Sequence, residues 1–155
     1  MKSSLSVLAL LFVLPATAAT VACPDLATAV QVASCPAEEE LKYTFTGYCS
    51  DDGKAYRGAT DVCTDYQVYR KLKNVALWES ADGNFNAYVS CELPATAVKA
   101  AKVSTVKVGK QGKITQLVCG YGEGLSFTMR TRAECKLAAG ADCKSDPAAC
   151  KASCD

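Results

Sequence analysis

Apolar and polar positions are most regularly ordered between Asn74 and Thr131. Val75–Glu79 is β-branched and aromatic, and Ser80-Ala81-Asp82-Gly83-Asn84 interrupts it with turn residues. Phe85–Leu93 then resumes an extended pattern. After a softer link come Val103–Val108, a turn at Gly109-Lys110-Gln111-Gly112, Lys113–Tyr121, a turn at Gly122-Glu123-Gly124, and Leu125–Arg130. Extended runs separated by short Gly-bearing loops are hairpin signals. The pattern therefore predicts an antiparallel meander of about five strands, with Trp78 and Phe127 turned into the core.

The flanking segments read differently. Leu26, Ala29, Val30 and Ala33 recur at helical spacing behind Pro24 and Asp25, which predicts a short helix within Thr20–Ser34. In Lys42–Tyr48, Tyr43 and Phe45 alternate with Thr44 and Thr46 and predict a strand, closed by a turn at Ser50-Asp51-Asp52-Gly53 and answered by a return strand at Lys54–Arg57. Thr60 and Asp61 offer N-cap chemistry, and Val62, Tyr66, Tyr69 and Leu72 continue at helical spacing. A helix from about Asp61 to Lys73 follows, with Arg70, Lys71 and Lys73 placed to complement the dipole of its last turn. The expected class is α+β, β-rich: a small disulfide-stabilised domain with a meander and one or two short helices. Few large apolar residues follow Thr131, so the end of the chain depends on its cysteines to stay ordered.

The N-terminus changes the setting. Lys2, the apolar run Leu5–Leu14, Pro15 and the small residues Ala16-Thr17-Ala18 have the form of a secretory signal peptide over residues 1–19, leaving one domain over 20–155. Nothing downstream approaches the roughly 20 apolar residues of a membrane helix. A mature chain of about 136 residues is large enough to bury a core, so disulfides supplement packing here. Lipidation at Cys23 is the competing reading, but Thr20-Val21-Ala22 lacks the Leu of a lipobox and lipidation would strand a ninth cysteine.

The ten cysteines are Cys23, Cys35, Cys49, Cys63, Cys91, Cys119, Cys135, Cys143, Cys150 and Cys154. An even number behind a signal peptide predicts disulfides throughout, with the pairing left open. Cys150 and Cys154 are expected to pair elsewhere than with each other, and Cys91 and Cys119 to reach toward the terminal segments. There is no Cys-x-x-Cys and no histidine, so the usual zinc spacings are missing. Neither metal nor any other cofactor is expected.

The lack of histidine also removes Ser-His-Asp and Cys-His machinery. Carboxylates remain at Glu38-Glu39-Glu40, at Asp51-Asp52 and at Glu79 beside Trp78. A glycosidase pair could in principle come from them, which makes a small carboxylate-dependent hydrolase the third reading of function. The glycines at 109, 112, 120, 122 and 124 fall at hairpin turns and form no phosphate loop.

Without Lys2 the chain is neutral, but the sign changes along it. Thr20–Tyr66 holds eight acidic and three basic residues, and Gln67–Glu134 ten basic and five acidic. The expectation is that the two segments complement each other within one fold. Lys102, Lys107, Lys113 and Arg130, beside whichever of Phe85, Tyr88 and Tyr121 face outward, are the candidate partner surface for a glycan or an anionic protein. No nucleic-acid or membrane partner is expected, and the chain is read as a monomer.

Two resemblances follow. Cys49-Ser50-Asp51-Asp52-Gly53-Lys54-Ala55-Tyr56 resembles the Cys-x-x-Asp-Gly-x-x-Tyr element of Kazal-type serine protease inhibitors, which implies a rigid protease-blocking loop near Cys49. Cys63 comes late for that family and its closely following cysteine is missing. The overall profile is similar to the small cysteine-rich secreted effector proteins of filamentous fungi and oomycetes: a signal peptide, one short domain, an even cysteine count and no catalytic motif. That resemblance implies a secreted, extracellular, non-enzymatic protein that binds an extracellular protein or glycan, with the inhibitor-like binder second.

Overall fold

The computed structural model describes residues 18–50, 60–137 and 143–155. The chain is α+β and β-rich, with two antiparallel sheets and five disulfides. A three-stranded sheet is built from the two ends of the chain: β1 (Ala19–Ala22), β9 (Lys151–Cys154) and β8 (Cys135–Leu137), in the order β1-β9-β8. A six-stranded sheet holds β2 (Val30–Gln31), β3 (Val75–Glu79), β4 (Asn86–Ser90), β5 (Thr105–Gln111), β6 (Ile114–Gly120) and β7 (Ser126–Thr131), in the order β2-β3-β4-β7-β6-β5. Residues 1–19, the expected signal peptide, fall almost wholly outside the described residues, although Ala19 already pairs with Cys154 in β1.

All five expected strands of the central region form, and its three turns join β3 to β4, β5 to β6 and β6 to β7. Their order departs from a simple meander. The link after β4 holds a helix, α4 (Ala95–Ala100), which carries the chain away from a hairpin return. β7 therefore pairs with β4 through Asn86 and Thr128, and β5 becomes the edge. One face of this sheet is core. Ala76, Trp78, Ala87, Val89, Leu117, Cys119 and Phe127 alternate inward, joined by Leu26, Phe85 and Val98. The other face carries Leu77, Glu79, Tyr88, Lys107, Thr128 and Arg130, the partners of an inward set displaced by one residue.

Three flanking expectations are corrected. Thr20–Ser34 is not a helix: β1, a single 3₁₀ turn at Leu26–Thr28 and β2 replace it. Asp25 does cap the turn, accepting from the Ala27 N–H at 3.1 Å, but pairing with β9 and the Cys23–Cys119 bridge hold the preceding residues extended. Only Leu26 and Ala29 of the proposed helical face are buried, while Val30 is 53% exposed.

Lys42–Tyr48 is not a strand but lies within α1 (Glu38–Cys49). Leu41, Phe45 and Tyr48 share its inner side, and Tyr43 is 82% exposed, so the alternation of Tyr43 and Phe45 masked a helical period. Glu38, Glu39 and Glu40 fill the first turn, where the dipole favours them. Thr44 donates from its hydroxyl to the Glu40 carbonyl at 2.8 Å, which satisfies the polar group inside the helix. The return strand at Lys54–Arg57 and residues 51–53 of the turn lie outside the described residues.

The expected helix over Asp61–Lys73 is two helices, α2 (Thr60–Thr64) and α3 (Tyr66–Lys73). Asp65 between them is extended (φ −129°) and accepts from the Gln67 N–H at 2.8 Å, so the working cap is four residues beyond Asp61. α1 and α3 pack through Phe45, Tyr48, Tyr66 and Tyr69, with ring centroids 5.1–5.6 Å apart, forming an aromatic cluster separate from the sheet core.

Candidate functional site

Every cysteine is paired: Cys23–Cys119, Cys35–Cys91, Cys49–Cys63, Cys135–Cys154 and Cys143–Cys150. Cys91 and Cys119 do reach N-terminal partners, and Cys150 and Cys154 pair elsewhere than with each other. Cys23 is bonded to Cys119. Such a framework belongs to an oxidising environment, and no helix among the described residues is long and apolar enough to cross a membrane.

The four basic residues singled out from the sequence do not converge. Lys107 on β5 and Arg130 on β7 share the outer face of the six-stranded sheet, diagonal across β6, where Val118 opposes Lys107 and Gln116 opposes Arg130. Lys113 stands on the β5–β6 turn. Lys102 lies apart, beyond α4, with its Nζ 3.9 Å from Asp25 Oδ1. That pair and Arg70–Glu38 join the acidic half of the sequence to the basic half, as expected of segments that complement each other.

Among the described residues the carboxylates do not assemble either. Glu38 accepts from the Tyr66 hydroxyl at 2.7 Å and from Arg70 Nε at 3.0 Å, and these two bonds hold its carboxyl below the usual range. Partial burial and the same bond push the Tyr66 hydroxyl up to about 12. Glu79 stands on the open face of β3 between Val30 and Asn86. Asp51 and Asp52 are outside the described residues. No group of three or more cysteine or carboxylate side chains among the described residues could hold a metal ion.

What the fold does build is a groove along α4. Its first part, about 280 Å³, lies between the end of β4 and the β6–β7 turn and is lined by Tyr88, Ser90, Glu92, Leu93, Glu123 and Leu125 among others. A second depression of about 520 Å³ shares Leu93, Glu123 and Leu125 with it and runs past Ala97, Ala100 and Ala101 to Tyr121. A third, about 410 Å³, shares Ala101 and Tyr121 and ends between Pro24, Asp25, Lys102 and Pro147. Neighbouring depressions share wall residues, so the three lie side by side along this surface. Small alanines on α4 open the space, and Pro94 starts that helix in an extended conformation that lets the chain turn away from the sheet.

Each wall is fixed by short-range chemistry. Cys91 is clamped by Cys35 and donates its N–H to the Asn74 carbonyl at 2.9 Å, and Leu93 donates to the Ser90 carbonyl at 3.0 Å. Glu92, presented by this turn, accepts from Arg70 Nη1 at 2.9 Å through Oε1. Arg70 thus spans from Glu38 on α1 to Glu92 on the groove, and both carboxylates strengthen its basicity. Opposite, Gly122, Glu123 and Gly124 all have positive φ, at 87°, 49° and 77°. The turn closes through Tyr121 N–H to the Leu125 carbonyl and Leu125 N–H to the Gly122 carbonyl. Glycine takes that geometry readily, whereas Glu123 is an L residue held in it.

Tyr121 forms the floor between the second and third depressions. It stacks edge-on against Phe127 at 5.9 Å and donates its hydroxyl to the Pro24 carbonyl. Burial, with a smaller contribution from Asp25, raises its hydroxyl well above the ordinary phenol range, so it stays a neutral donor. Tyr88 contrasts with it: on the outer face of β4 the ring is 75% exposed.

Of the residues singled out from the sequence, the groove takes Lys102, Tyr88 and Tyr121. Glu92, Glu123, Leu93 and the α4 alanines were missed. Alternation does put Tyr88 out of phase with Ala87 and Val89, so its exposure could have been read from the pattern. The convergence of the α4 link on the Gly122–Gly124 turn depends on strand order and has no local signature. No family model, curated protein or solved structure matches the chain.

Proposed function

We propose that this is a secreted, non-enzymatic interaction protein of the effector-like type, which binds an extracellular protein in the groove along α4. The observation that carries the reading is the succession of three depressions with shared wall residues: Leu, Ala and Pro side chains with a few polar and charged groups between them, and an exposed aromatic ring at one end. Concave, mostly apolar sites with a few polar groups are the usual form of binding sites. Between a protein and a glycan, the lining favours a protein. Sugars are held by stacked aromatic rings, and here one exposed ring, Tyr88, stands at one end, while Tyr121 is buried edge-on against Phe127.

Nothing in the groove supplies a nucleophile with an adjacent base, and the arrangement is suited to holding a chain segment. The Cys49–Cys63 bridge brackets a segment that could act as an inhibitor loop, but the residues leading into Cys49 are helical in α1 instead of extended.

Affinity capture from extracellular fluid, comparing the wild type with Ala100→Trp, tests the proposal. Ala100 is exposed and the larger side chain fills the groove without entering the core. A partner retained by the wild type and lost with Ala100→Trp is the expected result. A partner held equally by both variants removes the groove from the account, and recovery of a serine protease that is indifferent to Ala100 moves the binding surface to the Cys49–Cys63 segment.

A further inference from the structure

We infer that the Tyr88 end of the groove receives a lysine or arginine side chain from an extended segment of the partner protein. The inference rests on the groove being a protein-binding site and names the chemistry it selects. Three kinds of group meet there. Tyr88, 75% exposed, offers its ring, Leu93 and Leu125 supply apolar contact, and Glu92 and Glu123 line the depression from the end of β4 and from the β6–β7 turn.

A long cationic side chain matches all three at once. Its methylene stem lies along the leucines, and its head reaches the carboxylates with the charge beside the tyrosine ring. An acidic side chain would meet two like charges. An uncharged apolar one would strip water from Glu123 without replacing its hydrogen bonds.

The two carboxylates are held in different ways. Glu92 already accepts from Arg70 through Oε1. A carboxylate has about four acceptor positions, so it can take a second donor without releasing the first. Arg70 is in this sense a positioning residue. Glu123 forms no ion pair with another described residue, and its place at the tip of the β6–β7 turn puts it in the walls of both the first and the second depression. The cation therefore enters where the carboxylates lie, and the chain bearing it continues along α4. That six-residue helix is about 9 Å long, so roughly three residues of an extended segment lie beside it at ~3.3 Å each.

Selection from a displayed library of random linear peptides tests this, with the oxidised mature protein as bait and the chosen peptides mapped by amide chemical shifts. The expected peptides share one arginine or lysine and shift the amides of Tyr88, Glu92 and Glu123. They bind about tenfold more weakly to Glu123→Asn, as well as when their own cation is replaced by norleucine in the wild-type complex. Asparagine tolerates a positive φ, so that variant keeps the turn. The norleucine peptide supplies the same comparison on the unaltered protein.

Peptides that map to the groove without a common cation overturn the cation while leaving the groove as the binding site. Selection of no peptide, or of peptides that map elsewhere, overturns both. So does chitohexaose, a neutral sugar, if it shifts the Tyr88 amide where no peptide does.

Discussion

The two sheets of this protein are held together by different means. Inside the six-stranded sheet lie Trp78, Phe85, Leu117 and Phe127, each at most 4% exposed. The buried side chains of the three-stranded sheet are Cys135, Ala152 and Cys154, and two of those three are one disulfide. Burial of a large aromatic or aliphatic side chain contributes about 1.5–3 kcal/mol, and an alanine far less. The first sheet can therefore persist on packing, while the second joins the two ends of the chain and needs covalent closure. Cys23–Cys119 ties β1 to the inside of β6, so the terminal sheet is fastened to the packed one as well as closed on itself. The groove follows the same division: it lies along the packed sheet's own link and turn, and meets the terminal segments at Cys23, Pro24, Asp25, Pro147 and Ala148.

The sharpest way to break this comparison is to empty the packed sheet. Phe127 is wholly buried and touches Tyr121, the floor of the groove. Phe127→Ala is expected to lower the stability to unfolding by about 3–5 kcal/mol, measured by chemical denaturation with the disulfides intact. A loss under ~1 kcal/mol would mean that the cross-links and not the core carry the fold.

Removing the covalent closure is expected to do less, and locally. Cys135→Ala combined with Cys154→Ala opens a bridge of sequence separation 19, for which the chain-entropy account gives a cost of about 3 kcal/mol. The informative measurement is amide hydrogen exchange. Protection should fall at Val21, Ala152 and Ser153, and hold at Leu117 and Phe127. Equal loss in both sheets would show that they form one cooperative unit and that the distinction drawn between them has no energetic content.

The same division explains what could be read from the sequence. The packed sheet was legible because its strands alternate in residue type and its turns carry Gly83, Gly112, Gly122 and Gly124, all at positive φ. The terminal sheet was not. β1 and β9 lie at opposite ends of the chain, and their four-residue runs of mostly small side chains are too short to announce a strand, even though β9 alternates between exposed and buried. In α1 a real helical stripe, Leu41, Phe45 and Tyr48, was hidden by Tyr43 and two threonines, which by type suggest a strand. The groove was legible in part. Tyr88 and Lys102 stand out locally, but Glu92 and Glu123 are separated by two strands and line one depression only because β7 pairs with β4, a fact of topology that no short stretch encodes.

The smallest expected effect concerns the polar contact that joins the two sheets. Lys110 on β5 donates to Glu134, just ahead of β8, at 2.7 Å, and this bond holds the Glu134 carboxyl below its usual value of 4.5. A carboxyl depressed in the folded state stabilises the protein fully above its unfolded pKa. That contribution fades as pH falls through the lower folded value, because protonation then removes the charge Lys110 was paired with. Both partners are more than half exposed, so the effect is small and screened by salt. The expected outcome is that Glu134→Gln lowers Tm slightly at pH 7 and leaves it unchanged well below pH 4, with the difference at pH 7 shrinking in high salt. A Tm difference that persists at acid pH would assign the role of Glu134 to packing at the β8 entry, and the link between the sheets would then rest on the Cys23–Cys119 bridge and their shared core.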